Sequence, residues 1–394
     1  MEEKSTQKPK ILILSTAYLP HVGGSELAIK NITDRINDFE FDLITARLDK
    51  KSLKHQIDGN VSIFRVGGFF SLTKGLLPKN FLPLAIFFKA KSLIKQNNYK
   101  LIHAFQASGA AGAGWLLKFF YPQLPFIITM QEGKELEKQG FLINFFRKLI
   151  IKKIDRATAI SNYLKNYIFK IKPSLQVELI PNGVDPKMFA REFSYGDMAG
   201  LENKLGIKAD DKVIISSSRL VPKNGIDLLI EAIYILATSD KRQVTSNYKL
   251  LLVGDGPLLV SLKFKVKSLN LESKVIFTGA VNNLELPLYL KISDVFVRPS
   301  RSEGLGISFL EAMAAGIPII ATKIGGIPDF LEDRKTGLFC TLDPSDIASK
   351  INIIFENDTL RQQIIKNSRL LVEEKYDWDK ISKQYENIYY HPGL

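Results

Sequence analysis

RPSRSEGLGISFLEAMAAGIPIIATKIGGIPDF, residues 298–330, decides how the chain is read. It opens on the end of an apolar run, passes through a glycine-containing loop, continues as an apolar helical pattern and closes on a second buried-type run. Strand, loop, helix, strand is the unit of a parallel α/β sheet. Glycines at such a turn let a ligand approach the backbone, and the unpaired N–H groups at the helix start attract anions. Glu303 lies in the loop and Glu311 eight residues later in the helix, about two turns on at ~3.6 residues per turn. Two carboxylates so placed suit the hydroxyls of a sugar and of a ribose. The same residues also read as a capped amphipathic helix with surface glutamates.

The alternation extends outward over almost the whole chain. Expected strands are residues 11–15, 41–45, 61–66, 101–105, 126–129, 157–160 and 177–180, then 213–217, 249–253, 275–278, 295–297, 318–321 and 338–340. Helical patterns separate several of them, for example at 25–37, 107–120 and 141–154. Buried runs alternating with helices predict doubly wound parallel sheets. A turn cluster at Ile180-Pro181-Asn182-Gly183-Val184-Asp185 and the polar stretch 191–200 interrupt the pattern. The expected division is two Rossmann-like domains, residues 1–190 and 191–375, followed by a terminal segment 376–394. Ligands of open α/β sheets sit beyond the carboxyl ends of strands, so the two domains are expected to face one another across a cleft.

Composition narrows the function classes. The chain has 394 residues and a formal charge of +13, which favours anionic partners: nucleotide phosphates, nucleic acid or an anionic membrane surface. No recognised nucleic-acid module is present, so that use of the charge is set aside. Cys340 is the single cysteine, which excludes an intrachain disulfide and fits a reducing compartment. The apolar run at 11–14 is too short for a signal h-region. No run reaches the ~18 residues of a spanning helix.

Other loops carry polar groups at strand ends. Ser216-Ser217-Ser218-Arg219-Leu220-Val221-Pro222-Lys223-Asn224-Gly225 places two cations before a helix starting at Ile226. Arg219 and Lys223 there suit a departing diphosphate, and equally a solvated basic loop. Gly23-Gly24 follows the first strand but lacks the dinucleotide fingerprint. Gly254-Asp255-Gly256-Pro257 reads as a tight turn before a helix. His103 ends a strand and is either a base or a structural histidine. The four histidines show no metal-ligand spacing. Residues 141–153, FLINFFRKLIIKK, and the stretch 69–95 mix aromatics with lysines. They suit a membrane interface or helices packed on the sheet.

Taken in order, these pieces resemble the retaining nucleotide-sugar-dependent glycosyltransferases of family four, with the two-Rossmann-domain GT-B architecture. The resemblance runs through Gly23-Gly24-Ser25-Glu26, Pro181-Asn182-Gly183-Val184-Asp185, Arg219-Leu220-Val221 and Gly254-Asp255-Gly256-Pro257. It continues from Glu303 to Glu311, through Glu311-Ala312-Met313-Ala314-Ala315-Gly316-Ile317-Pro318, to Gly325-Gly326-Ile327-Pro328. It implies that Glu303, Arg219 and Lys223 serve the transfer step, Glu303 contacting the donor sugar and Arg219 the diphosphate. It implies donor contacts from Gly24, Asn224, Gly304, Leu305, Gly306 and Glu311, with Glu311 on the ribose and the N–H groups of 304–306 on sugar or phosphate. The last helix, 378–390, would return to the N-terminal domain.

Metal-independence and the absence of any cofactor beyond a UDP- or GDP-sugar are likewise implied. So are hexosyl transfer to a glycan or lipid-linked acceptor, a role in polysaccharide synthesis and a cytoplasmic location, peripheral on the membrane face. Two departures stand out: Asn224 occupies a place where the family has lysine, and Met130-Gln131-Glu132-Gly133 one where it often has histidine. The other readings are a nucleotide-sugar-binding protein of this fold with impaired catalysis, or a peripheral membrane module.

Overall fold

The computed structural model describes residues 8–21, 23–67, 81–133, 136–239 and 247–393. They fold into two compact units, Met1–Asn182 with Trp378–Leu394, and Gly183–Asp377. The strand and helix elements follow the expected alternation.

In the first unit the strands are β1 (Lys10–Leu14), β2 (Glu40–Ala46), β3 (His55–Asp58), β4 (Val61–Val66), β5 (Tyr99–Phe105), β6 (Phe126–Met130), β7 (Arg156–Ala159) and β8 (Val177–Leu179). Its helices are α1 (Gly24–Arg35), α2 (Leu82–Gln96), α3 (Gly109–Phe120), α4 (Phe141–Lys153) and α5 (Asn162–Ile171). Among the described residues these strands form one sheet in the order β3-β4-β2-β1-β5-β6-β7-β8. Only β3 is antiparallel to its neighbour. It was not expected from the sequence, because HQID at the sheet edge lacks an apolar run and His55, Gln56 and Ile57 are exposed.

The second unit holds α6 (Pro186–Phe189), α7 (Tyr195–Leu205), β9 (Lys212–Ser217), α8 (Ile226–Ser239), β10 (Tyr248–Val253), α9 (Leu259–Ser268) and β11 (Val275–Gly279). It continues with α10 (Leu286–Lys291), β12 (Val295–Arg298), α11 (Ile307–Ala315), β13 (Ile319–Thr322), β14 (Leu338–Cys340), α12 (Pro344–Glu356) and α13 (Asp358–Lys375). Its described strands pair, all in parallel, as β11-β10-β9-β12-β13-β14. That is the 3-2-1-4-5-6 order of dinucleotide-binding sheets, whose ligand crevice opens where the order reverses. Here the reversal lies between β9 and β12, joined by Val295 opposite Ile214. Helix α8 shows why the sheet is covered. Ile226, Leu229, Ile230, Ile233 and Leu236 recur at helical spacing and are buried, forming one apolar stripe on the strands.

The final helix, α14 (Trp378–Tyr390), belongs to the first unit. Trp378, Ile381, Tyr385, Ile388 and Tyr389 form its buried stripe, among Ile32, Phe39 and Phe41. Burial of an apolar side chain of this size contributes roughly 1.5–3 kcal/mol. The polar ends of the tyrosines find partners. His103 Nδ1 lies 2.9 Å from the Tyr389 hydroxyl and His103 Nε2 2.7 Å from Thr129 Oγ1, with Thr158 Oγ1 2.6 Å further along. Burial pushes the His103 imidazole down to about 3, so it is neutral. His103 is therefore a structural residue that ties β5 and β6 to α14, and not a base.

The boundary between the compact units lies a few residues before the expected one at 190/191. It falls after Asn182, whose side chain donates to Gln131 Oε1 of the first unit at 3.2 Å. Asp185 already caps α6 of the second through Met188 N–H at 3.1 Å. The stretch 191–200, expected as a polar connection, is largely α7, capped by a reciprocal Ser194–Asp197 pair. At the other junction the second unit ends at Asp377, two residues beyond the expected 375, where Asp377 pairs with Val184.

Candidate functional site

The reversal point brings two loops together at the carboxyl ends of neighbouring strands. One follows β9 and carries Arg219, Lys223 and Asn224; the other follows β12 and carries Glu303 to Gly306. They are knitted by backbone and side chain. Arg301 N–H donates to Lys223 carbonyl oxygen at 2.6 Å. The Arg301 guanidinium bonds Pro222 O at 2.8 Å and both carboxylate oxygens of Asp227 at 2.8 and 2.7 Å. The Arg219 loop has a second brace. Leu220 N–H donates to Asp255 O at 3.0 Å and Leu258 N–H to Leu220 O at 3.1 Å, so the Gly254–Pro257 turn holds the arginine's backbone from the far side. Arg219 itself is exposed.

Glu303 is the hub. Its side chain is only 10% exposed, and its Oε2 accepts from Arg298 Nη2 at 2.8 Å. Lys223 Nζ stands 3.4 Å from Oε1. Burial pushes the Lys223 ammonium below its ordinary value; Glu303 opposes that shift, and Arg298 and Arg219 add to it. Two glycines hold the loop where a side chain would not fit. Gly306 has φ 99°, and a Cβ there would lie 2.7 Å from the Phe309 ring and 3.0 Å from Arg298 Nη2. Gly325, at φ 56°, abuts the Glu303 carbonyl oxygen. Both positions favour glycine by conformation and by contact.

Glu311 lies in α11 and is 7% exposed. Burial raises its carboxyl to about 7, against the opposing field of Arg298. The structure thus brings together Glu303, Lys223, the Arg219 loop and residues 304–306, with Glu311 on the helix they open.

Three of the expected donor residues have partners or burial within their own unit. Gly304 N–H, expected to meet a ligand, donates to Glu303 Oε1 at 2.9 Å. Leu305 is 1% exposed, so its side chain is core and only its backbone remains for a donor. Asn224, expected at the donor, is buried and its Nδ2 donates to Arg219 O at 2.7 Å. Its amide braces the loop, and Lys223, one residue earlier, supplies the cation beside Glu303. Arg298 was not singled out from sequence, because an arginine closing an apolar strand gives no signal of what it faces.

Gly24 sits in the first unit, at the start of α1 beside the β1–β5 reversal point. There Thr16 Oγ1 and Ser108 Oγ lie 3.1 Å apart, and Gln106 takes a φ of 70°. Glu132, in the segment where the family often has histidine, accepts from Ala107 N–H at 2.7 Å and Gln131 N–H at 2.9 Å. Its carboxyl is raised by burial, opposed by Arg147. Glu26, beside Gly23, is also raised by burial.

The same unit carries an unusual surface. α3 packs against both α2 and α4. Phe88 of α2, Phe119 and Phe120 of α3, and Phe141, Leu142, Ile143, Phe145 and Phe146 of α4 are all exposed, Phe141 by 81%. Lys91 lies over the Phe120 ring at 4.2 Å and Lys153 over Phe119 at 4.8 Å. None of these three helices contains an Asp or Glu. Only Arg147, Ile150 and Ile151 of α4 are buried, so the helix is not simply packed on the sheet. The part of the basic aromatic stretch at 69–80 lies outside the described residues. Among the described residues no helix is long and apolar enough to cross a membrane.

Comparison with known proteins follows this division. The family model described as Glycosyl transferases group 1 matches residues 198–371, and that of Glycosyltransferase Family 4 matches residues 22–188. N-acetyl-alpha-D-glucosaminyl L-malate synthase of Bacillus anthracis is 29% identical over 312 residues, 78% of each chain. Alpha-monoglucosyldiacylglycerol synthase of Acholeplasma laidlawii is 26% identical over 401 residues, 96% of each. Among solved structures, sucrose-phosphate synthase from Thermosynechococcus elongatus superposes with a TM-score of 0.82 at 20% identity, over 98% of this chain and 99% of that one. Anabaena HepE in complex with UDP-glucose gives 0.74 at 22%, over 96% and 98%. The two parallel-sheet α/β units are those of the GT-B fold.

Proposed function

The chain belongs to glycosyltransferase family four, and on that premise we propose that it moves a hexosyl group from a UDP- or GDP-sugar to a hydroxyl acceptor with retention of configuration. The observation that carries this reading is the meeting of Lys223 and Glu303 at the carboxyl ends of β9 and β12, with the exposed Arg219 close enough to act on Lys223. Cations at that place stabilise charge that develops as a diphosphate departs. Glu303 takes the donor sugar's hydroxyls and Glu311 those of the ribose. The bond from the anomeric carbon to the phosphate oxygen breaks as the acceptor oxygen bonds the same carbon from the same face. The leaving phosphate oxygen receives the acceptor's proton. No general base from the protein is needed for this step.

The acceptor we propose is a lipid-linked or envelope glycan intermediate, met at the cytoplasmic face of a membrane. Support comes from the exposed aromatics and lysines of α2, α3 and α4, and from a relative named for monoglucosyldiacylglycerol synthesis. Apolar side chains ringed by cations suit the headgroup boundary of an anionic bilayer.

The test is a thermal-shift screen of nucleoside diphosphate sugars followed by turnover, since a bound donor raises apparent stability. Binding and transfer are expected. Binding without transfer or donor hydrolysis across an acceptor panel would instead support the impaired-catalysis reading, which the inward-turned Asn224 motivates. Flotation with phosphatidylglycerol vesicles is expected to carry wild type but not Phe145→Ser/Phe146→Ser. Equal flotation of the two, or none, removes the membrane part.

A further inference from the structure

We propose that Arg301 is a positioning residue for transfer: its guanidinium locks the turn at 222–224 and the start of α8 onto the loop that carries Glu303, so that the two loops of the crevice keep one register. The inference rests on the glycosyltransferase reading of this site.

The two loops meet along a seam. After β9, Pro222–Asn224 forms a single 3-10 turn, with Asn224 N–H donating to Val221 O at 3.1 Å. Gly225 follows at φ 67°, and a Cβ there would lie 2.0 Å from Pro299 O in the loop after β12. Only glycine allows a neighbouring backbone so close. Two residues past Pro299, Arg301 N–H donates to Lys223 O at 2.6 Å. One close approach and one hydrogen bond set the loops side by side but leave a hinge between them.

The Arg301 side chain closes that hinge. Nη1 donates to Pro222 O at 2.8 Å and to Asp227 Oδ1 at 2.8 Å, and Nη2 donates to Asp227 Oδ2 at 2.7 Å. One guanidinium thus grips the first residue of the 3-10 turn and the second residue of α8. The hydrogen bonds from Arg301 hold the Asp227 carboxyl below its ordinary value, against the opposing effect of burial, so the acceptor stays ionised. A planar fork on a carboxylate fixes direction as well as distance. An ammonium would supply the charge without the direction.

Glu303 lies two residues further on. Its carbonyl oxygen accepts from Gly326 N–H at 3.3 Å, so residues 301–303 are held between the β9 loop on one side and the 325–326 turn on the other. Arg298 holds the Glu303 carboxylate; Arg301 holds the place of the loop itself. Without the Arg301 fork, the β9 side of this span keeps only the Lys223 O bond and the Gly225 contact. The Arg301 and Asp227 side chains are 35% and 34% exposed, and a pair so solvated contributes little to stability. Its loss is therefore felt in geometry more than in folding.

Wild type, Arg301→Gln, Arg301→Lys, Asp227→Asn and the Arg301→Gln/Asp227→Asn double variant are compared for thermal midpoint, UDP and GDP affinity by calorimetry, and kcat and KM for transfer. Arg301→Gln and Asp227→Asn are each expected to lose roughly 5- to 10-fold in kcat, part of the ~10²-fold that a misplacement of about 1 Å can cost. Midpoints stay close to wild type and nucleotide affinity changes less than kcat. The double variant is expected to lose no more than the worse single one, since both remove the same fork. Arg301→Lys keeps the charge and is expected to recover little. Wild-type kcat in Arg301→Gln overturns the inference. So does full recovery in Arg301→Lys, which would make charge sufficient, or a double variant whose loss is the product of the single losses. A fall in midpoint that tracks the fall in kcat would assign the pair to folding and overturns it too. A wild-type protein that binds and turns over no donor removes the functional reading itself, and this inference with it.

Discussion

Setting aside the antiparallel β3 and the outermost β8 of the first, the two units share a strand order but use it differently. In the second, the reversal point between β9 and β12 gathers charged side chains: Arg219, Lys223, Arg301 and Asp227 reach solvent, and Arg298 and Glu303 are largely buried beside them. In the first, the defining polar network is neutral and interior: His103, Thr129, Thr158 and Tyr389. Charges held in part by one another can exchange partners when a phosphate arrives. Neutral groups sealed in a core cannot, and they fix which helix covers the sheet. One unit collects charged side chains beside its strand-order reversal, the other seals neutral groups beneath α14.

The comparison breaks most visibly if Arg219 is dispensable. Arg219→Ala is expected to lower transfer by roughly 10²–10³-fold, the range for removing one electrostatic donor, with the thermal midpoint unchanged. Full activity would deny the charged cluster its assigned role. Tyr389→Phe tests the other side. It leaves His103 Nδ1 without its partner, and an unsatisfied buried group costs about 1–3 kcal/mol. Urea unfolding should show that loss while the donor still binds.

Glu311 sharpens the contrast through pH. Its folded carboxyl is raised to about 7 from an ordinary value of 4.5, so the folded chain binds more protons than the unfolded chain between these values. Stability from this group therefore falls as pH rises through that window. Glu311→Gln should remove this component, gaining in stability relative to wild type at pH 8 compared with pH 4, as read by thermal melts. Equal differences at both would show that burial does not act on this carboxyl as described. The smallest effect is expected from the half-exposed Arg301–Asp227 pair. Arg301→Gln should cost no more than about 1 kcal/mol, in line with partly solvated pairs.

Much of this was legible in the chain because parallel strands buried on both faces leave long apolar runs, as Ile11 to Leu14 and Leu250 to Val253 do. Glu303 and Glu311 were legible because glycines and a helix start frame them. What escaped depended on side-chain direction. Asn224 turns inward to Arg219 O, Gly304 N–H is taken by the neighbouring carboxylate, and Arg298 is recognisable only once Ser300, Glu303 and Ser308 surround it. None of these leaves a periodic trace. β3 escaped for the opposite reason, since an edge strand paired on one side needs no apolar pattern. The boundary at Asn182 escaped because one turn cluster supplies polar contacts to both units.

The placement of α14 also orders the protein's birth. Synthesis commonly lets an N-terminal domain finish first. Here Gly183–Asp377 is one uninterrupted stretch, whereas the unit begun earlier lacks Trp378, Tyr385 and Tyr389 until that stretch has been made. In order of synthesis every residue of the later unit is made before those that finish the earlier one. A nascent chain halted at Asp377 would present an exposed groove along Ile32, Phe39 and Phe41, a surface for chaperones to hold until the last helix arrives.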